Sequence, residues 1–178
     1  MPRKSRRLLG ETVCHHMVQG INKEEIFKTE DNKEKYIELL KKYYKEFKID
    51  VIAYCIMDNH VHMLLYANDI KQISNIMKNI NSIYAINYNK KTDRVGYVFR
   101  NRFKSVPIMD RKQLYTCIKY IHMNPVKAGK VKEESDYRYS SYNDYLNKTG
   151  FIHEEILKFI FNSSNNYIEK FQSIEYEN

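Results

Sequence analysis

Two histidines separated by a single residue, His60-Val61-His62, are the first chemically suggestive feature of this chain. Alternate side chains of an extended strand share a face, so both imidazoles project from one side, about 7 Å apart at the backbone. Val61, Met63 and Leu65 then face the opposite, buried side. Two such imidazoles suit a divalent ion that still needs further ligands and open positions. A second candidate lies in the run Leu114 to Pro125. At about 100° per residue, Leu114, Cys117, Ile118 and Ile121 form an apolar stripe, with Tyr120 and Asn124 together on one flank. There the Tyr120 phenol either reaches a substrate or sits as a core-edge tyrosine. The Asn124 carboxamide either adds an oxygen ligand beside two imidazoles or merely ends a helix before proline. A third candidate is the run 97–105: if extended, Arg100, Arg102 and Lys104 share one face and Phe99 and Phe103 the other. A basic row backed by aromatics makes a phosphate track, and an ordinary half-exposed strand looks the same. Arg3, Lys4, Arg6 and Arg7 form a basic arm that could grip nucleic acid or only solubilise. His15 and His16 point to opposite faces if extended, so they cannot both join one site, and both are read as structural.

The elements that must position these groups are legible from caps and periodicity. Asp31-Asn32-Lys33-Glu34, Asp69-Ile70-Lys71-Gln72 and Asp110-Arg111-Lys112-Gln113 each pair an Asp with Glu or Gln three residues on, a helix-start signature. They predict helices over about 31–48, 70–90 and 111–123, the last stopping before Pro125 because the residue preceding a proline is biased away from helical backbone. Strand-like runs cover 12–18, 50–57, 60–66 and 97–109, and Asp58-Asn59 makes a hairpin-sized gap between the second and third. The order strand, helix, strand, strand, helix, strand, helix predicts an α+β fold, a ferredoxin-like antiparallel sheet with helices packed on one face. One domain over 1–150 carries the basic N-terminal arm. A C-terminal helical appendage over 151–178 follows, with a short helix near 153–162.

Composition narrows the partners. At 178 residues and 43% hydrophobic, the chain can bury a real core. It has no membrane-length apolar run and no apolar signal core behind its basic opening. Three widely spaced cysteines disfavour a disulfide framework or a cysteine zinc site, so a reducing cytoplasm is expected. The net charge of +8 is uneven: residues 71–130 hold 13 Lys and Arg against 2 Asp and Glu, whereas 131–178 are net acidic. That block attracts polyphosphate, and 16 tyrosines and 8 phenylalanines offer rings on which unpaired bases can stack.

Taken together these residues resemble a known family. The stretch from Tyr54 to Leu65, centred on His60-Val61-His62, resembles the HUH motif (His, bulky hydrophobic, His) of single-tyrosine HUH transposases, the IS200-like family. The run from Tyr120 through Asn124-Pro125-Val126-Lys127 to Gly129 is similar to the REP-associated tyrosine transposase branch. So are Gly96 with Arg102-Phe103-Lys104-Ser105, and Tyr139-Ser140-Ser141-Tyr142. The similarity runs over about residues 1–146. It implies a ferredoxin-like core and a metal-dependent endonuclease and strand transferase acting on single-stranded DNA at hairpin-bearing sites. It further implies His60, His62 and Asn124 as ligands of Mg²⁺ or Mn²⁺, and Tyr120 as the nucleophile that forms a 5′-phosphotyrosine. Arg100, Arg102, Lys104 and the arm would hold the DNA. Tyr115 is the rival phenol, but its helical phase puts it on the opposite flank from Tyr120. Gln19 stands where relatives often carry Arg, Phe99 where many carry Trp, and Asn124 where the insertion-sequence branch carries Gln. Some members place tyrosine and histidines on different subunits, which leaves a homodimer open. A nucleoid-associated cytoplasmic location would follow. Two other classes fit part of the pattern: a domesticated single-stranded nucleic-acid-binding protein without turnover, and a replication or relaxase-type nickase.

Overall fold

The computed structural model describes residues 10–47, 49–101, 103–147, 152, 154–161 and 167–173. Its elements are β1 (Gly10–Gln19), α1 (Glu30–Phe47), β2 (Asp50–Ile56), β3 (His60–Tyr66), α2 (Ile70–Thr92), β4 (Lys104–Ile108) and α3 (Arg111–Lys127). Three short helices follow, α4 (Tyr142–Asn147), α5 (Glu154–Ile160) and α6 (Tyr167–Gln172). The four strands form one antiparallel sheet in the order β2-β3-β1-β4, the α+β arrangement expected. Alternation in β3 assigns the faces. Met63 points to α1 and α2, where the Tyr44 hydroxyl meets the Met63 and Met77 sulfurs at 3.7 and 3.8 Å. His62 points the other way and meets Tyr120 of α3. Helices α1 and α2 therefore cover one face and α3 lies across the opposite one. The expectation that all helices pack on one face is thus corrected: alternation in β3 puts apolar or ring side chains on both sides of the sheet, and each side takes a helix.

Local chemistry explains the boundaries. Asp69 caps α2 by accepting from the Lys71 amide. Asp110 caps α3 by accepting from the Gln113 amide, and Gln113 Oε1 accepts in return from the Met109 amide. Helix α1 departs from expectation: Thr29 Oγ1, one residue outside the helix, accepts from the Asn32 amide, while Asp31 pairs with Lys91. Helix α3 does not stop before Pro125. It runs on to Lys127, where Gly129, at a φ of 65°, turns the chain back. The Gly129 amide donates to the Val126 carbonyl and the Lys130 amide to the Pro125 carbonyl, a closure that satisfies the last carbonyls. The local bias before proline yields to this stop signal and to the burial of Pro125 itself.

The run 97–109 is not one strand. The Phe99 bridge to Gly20 continues β1's pairing, but Lys104 pairs with Met17, so two extra residues bulge out between them. Arg100 lies in this irregular stretch, Arg102 lies outside the described residues, and only Lys104 belongs to β4. The expected row of three cations on one strand face is therefore not formed by a continuous strand. At the far edge of the sheet, residues 139–141 lie along β2. The Ile56 amide donates to the Tyr139 carbonyl, the Ser141 amide to the Tyr54 carbonyl, and the Tyr54 amide to Ser141 Oγ. Tyr137 and Tyr145 donate their hydroxyls to the Ile56 and Ile52 carbonyls. This strap consumes hydrogen-bonding groups that an open edge would present to other chains.

Candidate active site

The site lies in the seam between the sheet and α3. His60 opens β3 just after the Asp58-Asn59 turn, and His62 follows on the same face, their ring centroids 4.8 Å apart. Asn59 orients the first imidazole. Its Nδ2 reaches the Lys23 carbonyl, so its Oδ1 is the acceptor of a hydrogen bond that His60 Nδ1–H donates. His60 Nε2 is then left with a lone pair. The turn itself is pinned by Asp58, which pairs with buried Lys33 at 2.7 Å and with Lys130.

Tyr120 projects from α3 with its ring edge-on to His62, centroids 5.2 Å apart, and remains 41% exposed. The Lys127 ammonium stands 5.7 Å from the centre of the same ring. Asn124, one turn on, donates its amide to the Tyr120 carbonyl at 2.7 Å and lies 3.5 Å from the Ile121 carbonyl, the one that Pro125 leaves without an amide partner. With Nδ2 committed to the helix, Oδ1 is the end of the carboxamide left to meet anything else. Tyr115 takes the opposite flank: its hydroxyl donates to the Ile160 carbonyl and its ring stacks on Phe161.

Sequence reasoning missed one member. His15 on β1 sits diagonally across from His62, since Met17 pairs with His62 and His15 with Leu64. Its Nε2 is 2.9 Å from His62 Nδ1, and its ring meets Tyr120 edge-on at 5.9 Å. The reading of His15 as structural is thus corrected to a member of the cluster. His16 points to the other face, as alternation requires. The doublet signalled that one imidazole would reach each face, but not which strand would lie alongside.

Burial governs the charges here. It lowers the His62 pKa to about 3, with help from His60 and His15, and that of His15 to about 4, with help from Lys104. Burial also lowers His60, against the opposing pull of Asp58. Neutral imidazoles keep a lone pair each, which is the state a metal ligand requires. Among the described residues no group of three or more His, Cys, Asp or Glu side chains is arranged to hold a metal ion. The candidate donors are instead the two imidazoles and the Asn124 Oδ1 that its amide bonds leave uncommitted. That incomplete set fits Mg²⁺ or Mn²⁺, ions that keep open positions for water and phosphate oxygens.

A cleft of about 690 Å³ opens from these rings between β4 and α3. His15, His62 and Tyr120 form its inner end, Lys104 and Lys112 supply positive charge, and Val106, Pro107 and Ile108 line one wall. Arg100 is exposed outside it. Arg3, Lys4, Arg6 and Arg7, like Arg102, lie outside the described residues.

Comparison with known proteins agrees with this architecture. A Haemophilus influenzae protein described as a REP-associated tyrosine transposase is 28% identical over 122 residues, 61% of this chain and 69% of that one. A solved REP-associated tyrosine transposase, bound to a REP hairpin, superimposes with a TM-score of 0.64 at 16% identity, over 83% of this chain and 87% of its own. The family described as "Transposase IS200 like" matches residues 11–124, the span that includes the histidine pair, the phenol and the carboxamide. The chain therefore belongs to the IS200-like transposase family.

Proposed function

We propose that this transposase cleaves and rejoins single-stranded DNA at hairpin-bearing sites, with Tyr120 as nucleophile and a 5′-phosphotyrosine as intermediate. The observation that carries the reading is the half-exposed Tyr120 phenol set against His62 at the inner end of a basic-rimmed cleft. A hairpin substrate is proposed because the solved relative was bound to one. In this reading His60, His62 and Asn124 hold Mg²⁺ or Mn²⁺, whose Lewis acidity would offset charge developing on the scissile phosphate. Tyr120 attacks in line: its oxygen–phosphorus bond forms, the bond to the 3′ oxygen breaks, and the phenol's proton ends on the departing 3′-OH. Because one phosphodiester replaces another, a later 3′-OH reverses the step and joins new DNA without an external energy source. Lys104 and Lys112 hold the backbone beside the reacting phosphate, and Arg100, Arg102 and the basic arm extend that grip.

Incubation of the protein with a labelled single-stranded hairpin oligonucleotide and Mn²⁺ tests this. A covalent adduct that survives denaturation is expected, and it is expected to vanish in Tyr120→Phe while oligonucleotide binding stays within about twofold. Binding without adduct across a panel of hairpins would instead identify a non-catalytic DNA binder.

A further inference from the structure

The contact between His15 and His62 is more specific than packing. Their ring centroids are 5.1 Å apart with planes only 27° from parallel, yet Nε2 of one and Nδ1 of the other are 2.9 Å apart. That centroid separation equals the nitrogen–nitrogen distance plus about one ring radius at each end. The two imidazoles therefore meet edge to edge, in the geometry of a hydrogen bond, rather than face to face.

A single proton lies between the two nitrogens, and who owns it decides what His62 can do. If His15 donates, the neutral His62 ring carries its own proton on Nε2 and presents an N–H to the site. If His62 donates, its Nε2 keeps a lone pair. His60 is already fixed in the second sense, because its Nδ1–H donates to Asn59 Oδ1. Two lone pairs from one strand face make a chelate, whereas one lone pair beside one N–H does not.

We propose that His15 is a positioning residue that accepts the Nδ1 proton of His62 and so directs the His62 Nε2 lone pair at the divalent ion. Together with Asn59 acting on His60, each metal-facing imidazole then has its own acceptor behind it, the arrangement that raises ligand basicity and fixes ring orientation. The proposal deepens the metal reading above and rests on it. His15 serves the site a second way, as a wall: its ring stands edge-on to Tyr120 and lines the same cleft.

Mn²⁺ titration followed by electron paramagnetic resonance, on wild-type protein, His15→Leu, His15→Gln and His60→Ala, tests the assignment without DNA. His15→Leu removes the acceptor and is expected to weaken Mn²⁺ binding about 10- to 100-fold at unchanged thermal midpoint. His15→Gln, whose amide oxygen can accept, is expected to recover most of that loss. Nitrogen-15 NMR of the metal-free wild type should show His62 protonated on Nδ1, and on Nε2 in His15→Leu. Unchanged Mn²⁺ affinity in His15→Leu, with His60→Ala still impaired, overturns the role of His15 alone. Pulsed spectra that lose one imidazole nitrogen in His15→Gln overturn it too, since His15 would then be a ligand. A wild type that binds Mn²⁺ no better than His60→Ala overturns the metal reading, and this proposal with it.

Discussion

At the scale of single residues, the two members of the His15-His16 doublet lead opposite lives. His15 joins the ring cluster between the sheet and α3, while His16 is fully buried on the other face beside Phe103, with neither ring nitrogen bonded to any described residue. An unpaired buried polar group costs about 1–3 kcal/mol. His16→Leu is accordingly expected to stabilise the fold by about 1–2 kcal/mol in urea unfolding, and an equal loss would show that His16 has a partner. The residues read as candidates from spacing alone were those whose geometry is local. Alternation put His60 and His62 on one face, and helical phase set Tyr120 apart from Tyr115. His15 escaped because its partner is 47 positions away, and only the register of β1 against β3 brings them together. Asn59 escaped for the opposite reason: it read as a turn residue, and its use of both amide ends, on Lys23 and on His60, depends on loop conformation.

At the scale of elements, the succession of strands and the three main helices followed from caps and periodicity, and the failures have identifiable physical causes. Pro125 suggested a stop, but a proline whose missing amide is offset nearby can be carried inside a helix, and the glycine closure at Gly129 sets the true end. The 97–109 run had strand-like composition throughout, but its pairing with β1 slips by two residues, which no alternation pattern announces. The strap on β2 was noticed only as a Tyr- and Ser-rich stretch. Ser141 is its hinge of hydrogen bonds: Oγ accepts from the Tyr54 amide at 2.9 Å and lies 2.8 Å from His122 Nε2. Ser141→Ala leaves both groups buried and unpaired, so a loss of about 2–4 kcal/mol is expected in denaturant unfolding. Adduct formation by the folded fraction should be unchanged, because the strap is on the edge away from the cleft. A specific loss of cleavage at full stability would contradict that division of labour.

At the scale of the whole molecule, burial of imidazoles makes the fold acid-sensitive. The pKa values of His15 and His16 are lowered to about 4, and those of His62 and His122 to about 3, by burial in every case. The unfolded chain binds these protons near pH 6.5 and the folded one does not. Stability is therefore expected to hold above about pH 7 and to fall by several kcal/mol as pH drops from about 6.5 toward 4. The metal-free thermal midpoint against pH measures this, and His16→Leu should flatten the slope by one proton's worth. A flat profile through that window would mean that the rings are not held neutral. None of the helices among the described residues is long and apolar enough to cross a membrane.

Helix α3 is held from behind by segments that lie beyond residue 124, where the match to the family model ends. Arg111 and Tyr115 both bond the Ile160 carbonyl, and Phe171 sits against His122, two residues on from Tyr120. The helix that carries Tyr120 is therefore tied to the C-terminal helices α5 and α6 as well as to the sheet. Removal of α5 and α6 would leave Tyr120 and the histidines in the chain but strip the bonds that anchor the first turns of their helix, so a distant substitution at that anchor can shift the phenol without altering any group beside it.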